Sequence, residues 1–233
     1  MSQFFEMSDL NLSRRALGAL TVATLATAHS LPSLAQQKAP EEGTDYIKLD
    51  KAAQTEGIAG KVEVVEFFWY NCPHCNAFEP TLNAWLKKLP KDVHFRRVPV
   101  AFRAEFVPQQ HLFYTLEAMG KVAELHSKIF AAIHAGQQDL STRPNIIAWV
   151  GKQGIKGLDM AKFTQIFDSF ATGSKATRAT QLQESYRVSG VPALGIAGQF
   201  YTDGGMAQGM DRALKVVDYL VSTQRKPVAP KKK

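Results

Sequence analysis

A chain of 233 residues with 45% hydrophobic and 21% charged side chains carries enough apolar material for a core of its own, which excludes a disordered tail protein and a disulfide-stapled mini-protein. Its formal net charge is +7, but Lys and Arg are spread along the chain instead of forming one basic stripe, so nucleic acid is not the expected partner.

Arg14 and Arg15 precede an uncharged apolar stretch over residues 16–28, and Ser33-Leu34-Ala35 follows with small residues where a signal peptidase reads. This order predicts a signal peptide over residues 1–35, cleaved after Ala35, with Ala28 as the second choice. The stretch is too short to span a bilayer comfortably, and it lacks the polar face that a docked N-terminal helix would show. Ser13-Arg14-Arg15 resembles a twin-arginine signal, so the export route stays open, but export to the periplasm is expected.

Residues 36–44 are polar, with Pro40 and Gly43, and read as a flexible leader. Residues 45–50 (DYIKLD) make a short strand candidate. Residues 61–70 (KVEVVEFFWY) make a stronger one, nearly continuous in apolar side chains as expected of a central strand covered on both faces. From Pro73 the period becomes helical: Phe78, Leu82, Trp85, Leu86 and Leu89 share a stripe, weakened at Pro80 and ended by Pro90. Strand character returns over residues 93–100.

Helical stripes follow. Leu112, Phe113, Leu116 and Met119 stop at Gly120; Val122, Leu125, Ile129 and Ile133 stop near Gly136. Thr142 and Pro144 open a third stripe with Ile146, Ile147 and Val150. Asp159 caps a fourth that carries Phe163, Ile166, Phe167 and Phe170 and closes at Gly173; Ser174 caps a fifth that runs to about Val188. Two short strands around Ala197-Gly198 and a last amphipathic helix, with Ala213, Val216, Val217, Leu220 and Val221 on its apolar side, complete the order. A helical block thus interrupts an α/β unit, and residues 226–233, ending Lys231-Lys232-Lys233, form a frayed basic tail.

The only two cysteines, Cys72 and Cys75, sit in FFWYNCPHCNAFEP at the end of the strongest strand. A bridge between them closes a very short loop and contributes little stability, so a structural staple is a poor explanation. If the helix starts after Cys72, Pro73 takes the first helical position and Cys72 becomes the N-cap, facing free N–H groups and the positive end of the dipole. His74 adds to this. Cys72 is then expected to have a depressed pKa and Cys75 to be the more buried, ordinary thiol. A stabilised Cys72 thiolate favours the reduced pair, which makes the oxidised pair a ready disulfide donor.

EFFWYNCPHC after a strand, together with SGVPALGIAGQFYTDG far downstream, closely resembles the DsbA family of exported bacterial thiol:disulfide oxidants, in element order over essentially the whole mature chain. The resemblance implies an α/β thioredoxin fold with an inserted all-helical domain. Residues 45–105 and 178–225 would form the thioredoxin-like part and residues 106–177 the insertion. It implies a cis peptide bond between Val191 and Pro192 beside the dithiol, with the backbone there pairing with substrate peptide. It places a buried glutamate, Glu66, under the active-site helix as a proton relay for Cys75. It also implies reduced, unfolded exported proteins as substrates, reoxidation by a quinone-linked membrane oxidase of the DsbB type, a monomer, and no cofactor beyond the Cys72–Cys75 disulfide. WYN before Cys72 departs from the apolar and aromatic residues common in the family.

Other chemistries are weaker. Zinc needs four ligands, or three and water; His94, His111, His126 and His134 show no paired ligand spacing, and His126 reads as packed or capped. No metal site is expected. Haem attachment requires His where Asn76 stands. A disulfide isomerase or reductase of the same fold is the nearer rival, and a chaperone-like peptide binder with a non-essential dithiol the more distant one.

Overall fold

The computed structural model describes residues 38–225; the expected signal peptide and basic tail lie outside the described residues. One five-stranded sheet, ordered β1-β5-β4-β2-β3, forms the centre. β2 (Val62–Phe68) occupies an interior position and is buried nearly throughout, which is what its continuous apolar run requires. It pairs in parallel with β3 (Val93–Pro99), and the crossover between them is helix α1 (Pro73–Leu86). On its other side β2 pairs antiparallel with β4 (Ala193–Ile196), which forms a hairpin with β5 (Phe200–Asp203). The short β1 (Ile47–Lys48) completes the edge against β5.

Between β3 and β4 the chain forms a short 3-10 turn, Ala104–Phe106, and the helices α2 (Val107–Ala118), α3 (Val122–His134), α4 (Arg143–Gly151), α5 (Met160–Phe167) and α6 (Phe170–Ser185). α7 (Met210–Gln224) follows the hairpin. This is a thioredoxin fold with a helical insertion. One sheet face buries Val64, Leu194 and Ile196 against Phe78 and Leu82 of α1 and Val216, Val217 and Leu220 of α7. The other buries Val65 and Phe67 with Ala179, Leu182 and Tyr186, and its cluster continues into the helical block through Leu112, Leu116, Leu125 and Ile129.

Helix limits differ from the sequence expectation at the α5–α6 junction and at the end of α1. The fourth stripe ends at Phe167, and Ser169, not Ser174, caps the next helix: its Oγ accepts from the Thr172 N–H at 3.2 Å. Phe170 therefore leaves the apolar stripe and is 91% exposed, while Gly173 falls inside the first turn of α6, where it terminates nothing. α1 stops at Leu86, short of Pro90, because the N–H groups of Lys88 and Leu89 turn back to Trp85 and Leu86 carbonyls.

The hairpin connection places both Ala197 and Gly198 at positive φ, 55° and 69°. At Gly198 a side chain would also lie 2.6 Å from the Ala53 carbonyl oxygen, so glycine is required there. Gly195 in β4 has ordinary backbone but no room: a Cβ would stand 2.5 Å from Cε1 of Tyr186. That ring is held by an edge contact with Phe67 at 5.2 Å and by its hydroxyl, which accepts from the Gly198 N–H at 3.0 Å. Gly195→Ala is expected to cost about 1–3 kcal/mol by overpacking, seen as a lower urea midpoint with an unchanged m value.

Candidate active site

β2 points its C-terminal end at the start of α1, and the residues between are held from the helical block. The His134 Nε2–H donates to the Tyr70 carbonyl at 2.8 Å. The Gln109 side-chain N–H donates to Asn71 Oδ1 at 2.6 Å and to the Leu140 carbonyl at 3.1 Å. Trp69 stacks on Phe106 with centroids 3.9 Å apart. Asn71, polar where apolar residues are common, is thereby tied to α2.

Cys72 is the N-cap of α1 and Pro73 its first residue. The Cys75 N–H donates to Cys72 Sγ at 3.3 Å. The Val191–Pro192 peptide is cis, and the Val191 carbonyl accepts from the Cys72 thiol at 3.3 Å. The structure thus brings Cys72, Cys75, Val191 and Pro192 together although more than a hundred residues separate the two segments. His74 is exposed beside them.

Both cysteines are buried. The hydrogen bond from the Cys75 side chain pulls the Cys72 thiol down to about 6, burial opposing it and the Cys75 and His74 backbone N–H groups and the His74 charge adding to it. Burial, then the hydrogen bond and charge of the Cys72 sulfur, push Cys75 far up, and the Glu66 charge acts the same way. One sulfur favours the anion and its neighbour opposes it.

Glu66 lies under α1, fully buried in the interior strand. Burial raises its carboxyl to about 8; Arg97 pulls against this and the Glu79 charge adds to it. Arg97 Nε stands 3.0 Å from Glu66 Oε2 in a bent contact, and no other group among the described residues donates to either Glu66 oxygen. The Arg97 terminal nitrogen donates to both Glu79 oxygens, at 3.1 and 3.3 Å. His126 joins the group, with Nε2 3.2 Å from Glu79 Oε1 and Nδ1 2.9 Å from the Tyr70 hydroxyl. Burial works to raise Glu79, but the His126 and Arg97 contacts outweigh it and hold the carboxyl below its ordinary value. Burial, against the Glu79 contact, holds His126 low and therefore neutral.

Glu79, Arg97 and Tyr70 escaped the sequence reading. Signals existed: Glu79 follows Cys75 by one helical turn on the face that buries Phe78 and Leu82, and adjacent arginines in a strand must point one of the pair inward. Among the described residues, one group could approach a cation: Glu56, Glu63 and His94. Arg96 already supplies a positive charge there, 3.7 Å from Glu56 and 3.1 Å from Glu63. Its three members come from separate segments, which is why ligand spacing does not show it.

Comparison with known proteins agrees with this geometry. A family profile described as a DSBA-like thioredoxin domain matches residues 63–221. The thiol:disulfide interchange protein DsbA of Pseudomonas syringae pv. tomato is 38% identical over 208 residues, 88% of this chain and 95% of that one. DsbA of Bordetella parapertussis is 43% identical over 169 residues, 72% of this chain and 78% of that one. The crystal structure of Pseudomonas aeruginosa DsbA superposes with a TM-score of 0.74 at 38% identity, covering 80% of this chain and 95% of that one. The chain belongs to the DsbA family.

Proposed function

We propose that this protein is a thiol:disulfide oxidoreductase that donates its Cys72–Cys75 disulfide to reduced, unfolded exported proteins in the periplasm. The observation that carries this is the unequal pair of sulfurs: Cys72 at the tip of α1, where the Cys75 thiol and then the backbone N–H groups favour its thiolate, over a buried Cys75 that disfavours charge. A substrate thiolate attacks Cys72 Sγ, and the electron pair of the Cys72–Cys75 bond leaves on Cys75, which takes up a proton. The substrate's second thiolate then attacks the substrate sulfur of the mixed disulfide and expels Cys72. The low pKa makes Cys72 a good leaving group. Two electrons pass to the dithiol; Cys75 keeps one proton, and above pH 6 the other goes to water.

Glu66 serves Cys75 in this scheme. As a buried acid near pH 8 it is protonated at neutral pH and supplies the proton that the departing Cys75 thiolate needs; during reoxidation its carboxylate takes that proton back. Val191 and Pro192 present backbone beside Cys72 for the substrate peptide. The dithiol is the redox group and needs no further cofactor. Reoxidation falls to a quinone-linked membrane oxidase of the DsbB type, and the protein works as a monomer. Residues 45–105 and 178–225 make the thioredoxin-like part in this reading, residues 106–177 the insertion and residues 1–35 the export signal.

The test is the ultraviolet thiolate absorbance of the reduced protein against pH. Half-titration is expected near pH 6. A midpoint near 8.5, that of an ordinary cysteine, would remove the driving force and with it the donor assignment.

A further inference from the structure

Beneath α1 two carboxylates face one guanidinium. Arg97 lies 3.0 Å from Glu66 and 3.1 Å from Glu79, and all three side chains are largely withdrawn from water. One positive charge does not keep two buried carboxylates ionised, so one of them holds a proton.

The remaining hydrogen bonds decide which. Among the described residues Glu66 receives none beyond its bent contact with Arg97. Glu79 receives one from Asn83 Nδ2 at 3.1 Å and meets His126 Nε2 at 3.2 Å. A neutral imidazole has one donor and one acceptor. An ionised Glu79 takes the Nε2–H, and Nδ1 then accepts from the Tyr70 hydroxyl at 2.9 Å. The rings of Phe68, Phe130 and Phe113 pack around the imidazole at 5.1, 5.2 and 6.2 Å and fix its direction. The charged and titratable groups around Glu66 are Arg97 from β3, Glu79 and Cys75 from α1, and Tyr70 beyond β2. His126 reaches the group from α3.

We propose that His126 is a positioning residue whose Nε2–H places the single buried negative charge on Glu79 and leaves Glu66 to hold a proton for Cys75. This rests on Glu66 being the proton partner of Cys75. In that step the S–S bond breaks, its electron pair stays on Cys75, the proton passes from Glu66 to the Cys75 sulfur, and Glu66 becomes a carboxylate beside Arg97 that takes the proton back when the pair is reoxidised. The helical insertion thereby sets the proton supply of the dithiol through one side chain.

The experiment follows carbon-13 labelled Glu66 by NMR against pH in the full mature protein, beside the pH profile of Cys72–Cys75 reduction by dithiothreitol. In wild type, Glu66 is expected to titrate near 8. His126→Leu is expected to lower that midpoint by about one pH unit, the worth of one hydrogen bond to a charged group, and to move the reaction profile with it. His126→Gln, whose amide N–H spans the same distance, is expected to stay close to wild type. An unmoved Glu66 in His126→Leu, a Gln variant that behaves like Leu, or a Glu66 shift without a shift in the reaction profile would each overturn the proposal. Should His126→Leu not fold, the wild-type imidazole decides: a proton on Nδ1, or a charged ring at neutral pH, defeats the assignment. Disulfide transfer by wild type to a reduced peptide tests the donor function separately, because the Glu66 titration stands whether or not transfer occurs.

Discussion

Replacing Cys72 with serine is expected to bring disulfide transfer down to the uncatalysed rate, while Cys75→Ser is expected to halt the cycle one step later. The two thiols are not equivalent. Cys72 faces the N–H groups at the start of α1 and favours its anion; Cys75 has no exposure to solvent and favours its thiol. At pH 7 a thiol that titrates near 6 is mostly thiolate, whereas an ordinary one is only a few per cent thiolate, a difference of about 30-fold in reactive form. Cys75→Ser keeps the reactive sulfur but removes its internal partner. Incubated with oxidised glutathione, that variant is expected to gather a glutathione adduct on Cys72 and to hold it, as intact mass would show. Cys72→Ser is expected to gather almost none. Retained transfer in Cys72→Ser, or a stable adduct on Cys75, would contradict the assigned order of attack.

The sequence exposes the chemistry of this site better than its support. Cys72, Pro73 and the helix that starts there are legible because a cap, an N1 proline and a change of period coincide within a few residues. The helices of the insertion are legible for the same reason, their stripes being local. Ser169 was hidden because Phe170 looks like the continuation of a stripe that ends at Phe167, and only the cap geometry separates them. The group under α1 was hidden for another reason. Glu66, Glu79, Arg97 and His126 come from β2, α1, β3 and α3, and a buried charge is readable only when its partner is known. Glu66 stood out as an acid in an apolar strand, but nothing local says that its cation follows 31 residues later, at position 97. His126 falls on an apolar stripe, where periodicity predicts burial and is silent about the two hydrogen bonds that make burial tolerable.

The same group yields the largest expected change in stability. Arg97→Met is expected to destabilise the fold by about 3–5 kcal/mol at neutral pH, because it leaves the buried Glu79 carboxylate without its cation. The loss should depend on pH in a definite direction. Glu79 titrates lower in the folded protein than in the unfolded chain, so it contributes stability above the unfolded value near 4.5 and forfeits it as pH falls through the folded value. Glu66 is the reverse case. Its folded value is raised from 4.5 to about 8, so between those limits the unfolded chain releases a proton that the folded one keeps. Its part of the stability therefore falls as pH rises through that window and levels off above it. Without Arg97 both acids move upward, and at low pH both are neutral in the folded state. The deficit of Arg97→Met relative to wild type should then grow with pH and be larger at pH 8 than at pH 5, as urea unfolding at the two pH values would measure. Adding Glu79→Gln should restore much of the loss near pH 8, since an ion pair removed whole costs far less than one broken. A deficit equal at both pH values and untouched by the second change would mean that Arg97 acts through its packed stem and not through its charge.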